Sequence, residues 1–103
     1  MFILFTDFGV AGPYFGQMKA KLIEFAPEVP IIDLFSDTPS QNSKATAYLL
    51  AAYVGTFPKG SIFVCVVDLG VGGDRPAVIV EADGQCFVGP GNGLFEMILP
   101  CYL

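Results

Sequence analysis

The sequence predicts an α/β fold: a mixed, mostly parallel sheet flanked by helices. Two observations point there. Short apolar runs of strand length alternate with longer stretches whose apolar residues recur every three or four positions. The last two strand-like runs are separated only by Asp83 and Gly84, a pair that favours a two-residue hairpin turn. The resulting order of strand, helix, strand, helix, strand and hairpin implies a parallel or mixed sheet with helices on its faces.

The elements follow in order. Phe2 to Phe5 is a short apolar run ending at Thr6 and reads as a buried first strand. Gly9, Gly12 and Pro13 break the chain, and from Tyr14 the pattern becomes helical. Phe15, Met18, Leu22 and Phe25 are spaced for one face, with Lys19, Lys21 and Glu24 mostly on others. Pro27 and Pro30 end that helix. Ile31, Ile32 and Leu34 predict a second strand, and the polar stretch Ser36 to Ser43 a loop with helix caps available at Asn42 and Ser43. A second helix follows from about Lys44 to Val54. It is rich in Ala and Leu and nearly apolar all round, which predicts cover on more than one side, with Tyr48 and Tyr53 as core or interface aromatics. After Gly55, Pro58 and Gly60, the run Ile62 to Val67 is the strongest strand signal. Ala77 to Ala82 and Gln85 to Val88 form the hairpin. An apolar segment, Leu94 to Leu99, comes just before the end, and no repeat or linker interrupts the chain.

At 103 residues the chain is about one small domain. Hydrophobic residues make up 53% of it and 12 glycines add to them, above the apolar share of about 45–50%, glycine included, of ordinary domains. The excess predicts that the molecule packs against copies of itself or is the first part of something larger. A net charge of −5 with five Lys and Arg argues against nucleic acid, whose phosphates demand basic residues, and against a polybasic membrane anchor. The opening MFILF has no basic residue before it and reaches Thr6 and Asp7 too soon for a signal peptide. No apolar run approaches the roughly 18 residues of a spanning helix. Cys65, Cys86 and Cys101 form no CxxC, and no histidine is present, so no metal site is expected. The expected compartment is the reduced cytoplasm, with each cysteine a small buried apolar residue.

In open α/β sheets ligands bind beyond the carboxyl ends of parallel strands. Two loops have that position: TDFG, Thr6 to Gly9, and DLGVGGDR, Asp68 to Arg75. From the residue pattern, Asp7 either accepts two adjacent hydroxyls of a ribose or caps its own loop. Gly70, Gly72 and Gly73 let backbone N–H groups approach a ligand where a Cβ would collide. Asp68 and Arg75 then flank a small polar molecule, with Asp68 held ionised by the guanidinium and able to orient a water or take its proton. The alternative is a glycine-rich turn with a surface ion pair worth about 0–1 kcal/mol. GPGNG, Gly89 to Gly93, likewise reads as a ligand-facing turn or a plain one. No GK[ST] is present, and Arg75 occupies the third glycine position of GxGxxG, so the standard phosphate loops do not match. Without histidine, serine or cysteine nucleophilic catalysis lacks a base. Asp33, Asp37 and Asp68 sit on separate connections, which gives no signal for a glycosidase pair.

At these residues the chain resembles the S-adenosylmethionine (SAM) hydrolases, or SAM hydroxide adenosyltransferases, relatives of the SAM-dependent fluorinases and chlorinases. The motifs that carry the resemblance are TDFG with GPYFGQMK, then PEVPIIDL, FPKGSIFVCVVDLGVGGDR and FVGPGNGL, in the family's order over nearly the whole chain. The resemblance implies that residues 1–103 are an N-terminal α/β SAM-binding domain. It further implies a C-terminal β-barrel domain beyond this chain, and a homotrimer with SAM bound between subunits. Carried onto matching positions, Asp68 and Arg75 position the attacking water, and Asp7, Phe8, Val71, Gly72 and Asn92 hold the substrate. Asp7 takes the ribose hydroxyls. A histidine that completes the water site in the family falls beyond Leu103, so the 103-residue chain alone is expected to be inactive.

The implied reaction is attack of water or hydroxide on C5′ of SAM, giving adenosine and L-methionine, with SAM as substrate and neither metal nor further cofactor. Two alternatives stand beside it: a non-catalytic SAM or adenosine-binding fragment, and a SAM-dependent halogenase. Asp68 and Arg75 favour hydrolysis over halogenation, since a carboxylate repels a halide. The chain departs from the family at Leu69, where proline is usual, and at Gly91, where aspartate is usual. Both changes loosen their loops. Ser36 and Asn42 fall where a histidine and an aspartate are common.

Overall fold

Every predicted strand and helix forms. The computed structural model describes residues 1–7, 12–38, 43–66, 77–90 and 95. The elements are β1 (Phe2–Thr6), α1 (Tyr14–Phe25), β2 (Ile31–Phe35), α2 (Ser43–Tyr53) with a 3-10 turn at Val54–Thr56, β3 (Ile62–Val66), β4 (Ala77–Ala82) and β5 (Gln85–Pro90). Asn42 and Val67 lie outside the described residues, as does the 94–99 segment apart from Phe95.

The strands form one five-stranded sheet in the order β2-β1-β3-β5-β4. β1 runs parallel to β2 and β3, and β3 parallel to β5. Only β4 runs antiparallel, because the hairpin reverses the chain. Asp83 and Gly84 both adopt positive φ, 51° and 78°, the type I′ geometry that matches strand twist.

β1 therefore lies between the two strands that follow it, and the chain crosses from one side of β1 to the other on its way from β2 to β3. Right-handed crossovers in opposite directions put the two helices on opposite faces. Leu50 of α2 joins Ile3, Phe5, Phe63, Cys65 and Phe87 in a single buried cluster. Leu4, which points to the other face, is also fully buried. Asp33, the register partner of Leu4, pairs with Lys19 of α1 at 2.7 Å and ties that helix to the second face.

Aromatic rings fill the α2 side. Phe63 stacks on Phe87 with centroids 4.8 Å apart, Phe57 meets Phe63 edge-on at 5.6 Å, and Phe95 tilts against Phe87 at 5.8 Å. Such pairs add about 0.5–1.5 kcal/mol each beyond their burial. Cys65 sits in the same cluster, and burial pushes its thiol pKa well up, so it is an inert apolar residue as expected. Cys86 is half-buried, and Cys101 lies outside the described residues.

Two expectations about the helices change. The predicted α1 stripe holds through Phe15, Met18 and Leu22 but fails at Phe25, which is 84% exposed at the last position of the helix, where the chain turns away toward Pro27. α2 is covered on one side rather than several: Thr46, Ala47 and Leu50 are buried, while Ala45, Ala52 and Tyr48, the last 55% exposed, face outward. A helix lying on one sheet buries one stripe, and among the described residues no further layer lies over it. Tyr48 is therefore not a core residue. Tyr53 is also partly exposed, yet its ring packs edge-on against Phe35 at 5.4 Å.

At the amino ends of β3 and β5 the Gln85 amide donates to the carbonyls of Val54 (2.9 Å) and Phe57 (3.1 Å), and the Gly60 N–H donates to Gly84 O at 2.7 Å. These bonds fasten the connection after α2 to the hairpin. No helix among the described residues is long and apolar enough to cross a membrane.

Candidate functional site

The carboxyl ends of β1, β2, β3 and β5 share one edge of the sheet, because these four strands are parallel. β4, being antiparallel, starts at that same edge, with Ala77 beside Pro90. Consequently every chemically suggestive motif opens from one side of the molecule. TDFG begins at Thr6 and Asp7, the connection 67–76 leaves at Val66 and returns at Ala77, and GPGNG begins at Gly89 and Pro90. The reversal of direction around β1 makes this edge a topological switch point, the place where ligands bind in open α/β sheets.

Backbone hydrogen bonds lace the strand ends together. The Asp7 N–H donates to Val66 O at 3.4 Å, joining β1 to β3, and the Thr38 N–H donates to Thr6 O at 3.2 Å, joining the end of β2 to β1. The fully buried Thr6 hydroxyl lies 3.5 Å from Phe35 O. Asp7 is thus held by its main chain at the switch-point edge, with a side chain that is neither buried nor fully exposed.

Gly89 has a specific reason to be glycine. A Cβ there would come within 2.9 Å of Cys65 O and of Phe95 Cζ, and within 3.0 Å of Cys65 Cβ. The absent side chain lets β5 lie close to β3 and seats Phe95 beneath the start of GPGNG. The first glycine of that motif is therefore a packing residue.

Of the residues read from the sequence, Asp7 stands at this edge. Phe8, Asp68, Val71, Gly72, Arg75 and Asn92 lie outside the described residues, as does any pairing of Asp68 with Arg75. Val66 and Ala77 do bring both ends of the segment that carries Asp68 and Arg75 to this edge of the sheet.

Thr38 is a residue that sequence reasoning missed. It is 5% exposed, and its hydroxyl has no hydrogen-bond partner among the described residues. Nothing in the run Ser36, Asp37, Thr38 distinguishes a buried hydroxyl from an ordinary loop threonine.

The sheet also has a recess of 440 Å³ at its opposite edge, lined by Ser61, Glu81, Asp83, Gln85 and Cys86 among others. Its buried polar groups are already engaged: Gln85 bonds Val54 and Phe57, and the Ser61 hydroxyl donates to Pro58 O at 2.7 Å. The strand-end edge, where the motifs converge, is the better candidate.

Comparison with known proteins identifies the family. The sequence pattern of the SAM hydroxide adenosyltransferase N-terminal domain matches residues 2–101. An (R)-S-adenosyl-L-methionine hydrolase of Thermus thermophilus is 41% identical over 93 residues, covering 89% of this chain and 36% of that protein. One of the same name from Methanocaldococcus jannaschii is 34% identical over 100 residues, covering 92% of this chain and 38% of that protein. Among crystal structures, a conserved hypothetical protein from Thermus thermophilus superposes with a TM-score of 0.84 at 34% identity, over 97% of this chain and 42% of its own. An uncharacterized conserved protein from Thermotoga maritima gives 0.89 at 31%, over 99% and 40%. The chain thus spans little more than a third of the length of the curated relatives it matches. The resemblance read from the four motifs and the α/β fold read from the strand and helix pattern both hold, and the chain belongs to the SAM hydroxide adenosyltransferase N-terminal domain family.

Proposed function

We propose that this chain supplies the N-terminal, SAM-binding part of a SAM hydrolase that forms adenosine and L-methionine. The observation that carries the reading is the position of Asp7 at the switch point, fastened to Val66 two residues before Asp68. The names of relatives 41% and 34% identical support the substrate and the reaction.

In this reading the two carboxylate oxygens of Asp7 accept the ribose hydroxyls, while Phe8, Val71, Gly72 and Asn92 surround the rest of the substrate. Asp68 and Arg75 hold a water in line with C5′. Its oxygen bonds to C5′ as the C5′–S bond breaks, the electron pair passes to sulfur, and the sulfonium becomes the thioether of methionine. The departing proton passes to Asp68 or to solvent. A sulfonium is a good leaving group, so positioning of the water and exclusion of bulk solvent supply most of what the protein must do. SAM is the substrate, and the chemistry calls for no metal or further cofactor. The carboxylate of Asp68 repels halide, which disfavours the halogenase alternative. Exposed apolar residues such as Phe25 and Ile79 support an assembly of copies, which we take to be a homotrimer working in the cytoplasm.

The test is Asp68→Ala in the full-length protein. Adenosine release, followed by chromatography, should fall by about 10²–10⁴-fold while the Kd for SAM changes little. Unchanged turnover would remove Asp68 from the mechanism.

A further inference from the structure

Thr38 carries an inference that rests on the reading of Asp7 as the ribose-binding residue and extends it. A hydroxyl withdrawn from water with no partner destabilises the protein that holds it, and buried polar groups in native proteins are nearly always satisfied by protein, water or ligand. Among the described residues the Thr38 hydroxyl is such a group, in a residue only 5% exposed. Its place is as telling as its burial. The Thr38 N–H is bound to Thr6 O, so the residue flanks the end of β1 on the β2 side, just as Val66 flanks Asp7 on the β3 side. The residue that carries this hydroxyl therefore stands at the carboxyl end of β1, one strand position from Asp7.

We propose that the Thr38 hydroxyl is a ligand-binding group that hydrogen-bonds a polar atom of the nucleoside part of the ligand beside Asp7. A hydroxyl both donates and accepts, so it can meet either a ribose hydroxyl or a base nitrogen. The nucleoside is the part concerned because Thr38 is tied to the residue immediately before Asp7. The hydroxyl finds no partner among the described residues, and binding supplies one.

The experiment uses the full-length protein with Thr38→Val, which keeps the shape and removes the hydroxyl, and Thr38→Ser, which keeps the hydroxyl. Adenosine binding is measured by calorimetry, and thermal unfolding is measured without ligand. Thr38→Val should weaken adenosine by about tenfold, the scale of one lost hydrogen bond. Its ligand-free Tm should stay level or rise, and Thr38→Ser should bind within about threefold of the parent. Unchanged adenosine affinity in Thr38→Val overturns the proposal while leaving the role of Asp7 intact. A fall in its ligand-free Tm also overturns it, because the hydroxyl then has a partner within the protein or a buried water. Failure of the parent itself to bind adenosine overturns the reading of Asp7, and this proposal with it.

Discussion

Gly89 is the residue at which the fold and the candidate site constrain each other most directly. With backbone and ring atoms at 2.9 Å from the position of a Cβ, Gly89→Ala must push β5 away from β3 or displace Phe95. Overpacking of this kind costs about 1–3 kcal/mol, to be read as a lowered urea midpoint. A midpoint equal to the parent's would mean that the contact relaxes without loss. The sequence marked Gly89 as part of a turn, but its reason lies with Cys65 and Phe95, which only the folded sheet brings near. Asp7 was more legible. An aspartate ending an apolar run points to a strand end, and strand ends in parallel sheets are where ligands bind. Thr38 was illegible, because burial of a loop hydroxyl is a tertiary property with no local signature.

Among the elements, α2 shows how far periodicity reaches. Its existence followed from composition, and its buried face did not. Alanine is tolerated inside and outside alike, so a helix rich in it reads as apolar on every side even when only one stripe is covered. Leu50 and Tyr48 separate the two descriptions. Leu50→Ala should cost about 2–5 kcal/mol in denaturant unfolding, since Leu50 is fully buried in the ring cluster. Tyr48→Ser should stay within about 0.5 kcal/mol, as expected for a surface position. A large loss at Tyr48 would mean that another chain covers that face. The hairpin was the easiest element to read, because Asp-Gly answers a local demand for two positive φ angles and needs no distant partner.

For the molecule as a whole, the buried cluster couples stability to alkaline pH through Cys65. Burial raises the pKa of its thiol, so the folded chain keeps the proton at pH values where the unfolded chain, with a thiol near about 8.5, has lost it. The stability that Cys65 contributes is complete below about pH 8.5 and declines above it, by about 1.4 kcal/mol per pH unit, until the folded thiol ionises. Unfolding free energies between pH 8 and pH 10 should therefore fall more steeply for the parent than for Cys65→Ala. Parallel slopes would show that the thiol is reached by water. The strand order is the part of the architecture that the sequence did not specify. Alternating elements require a sheet with parallel strands, but they do not say on which side of β1 the third strand lands. That choice creates the switch point.

The same order has a consequence for the connection 67–76. Its ends, Val66 on β3 and Ala77 on β4, are separated only by β5, two strand spacings or about 10 Å. Ten residues can reach roughly 33 Å when extended, about three times that gap. The segment is far longer than the task of joining its strands requires, so chain closure between β3 and β4 does not set its length.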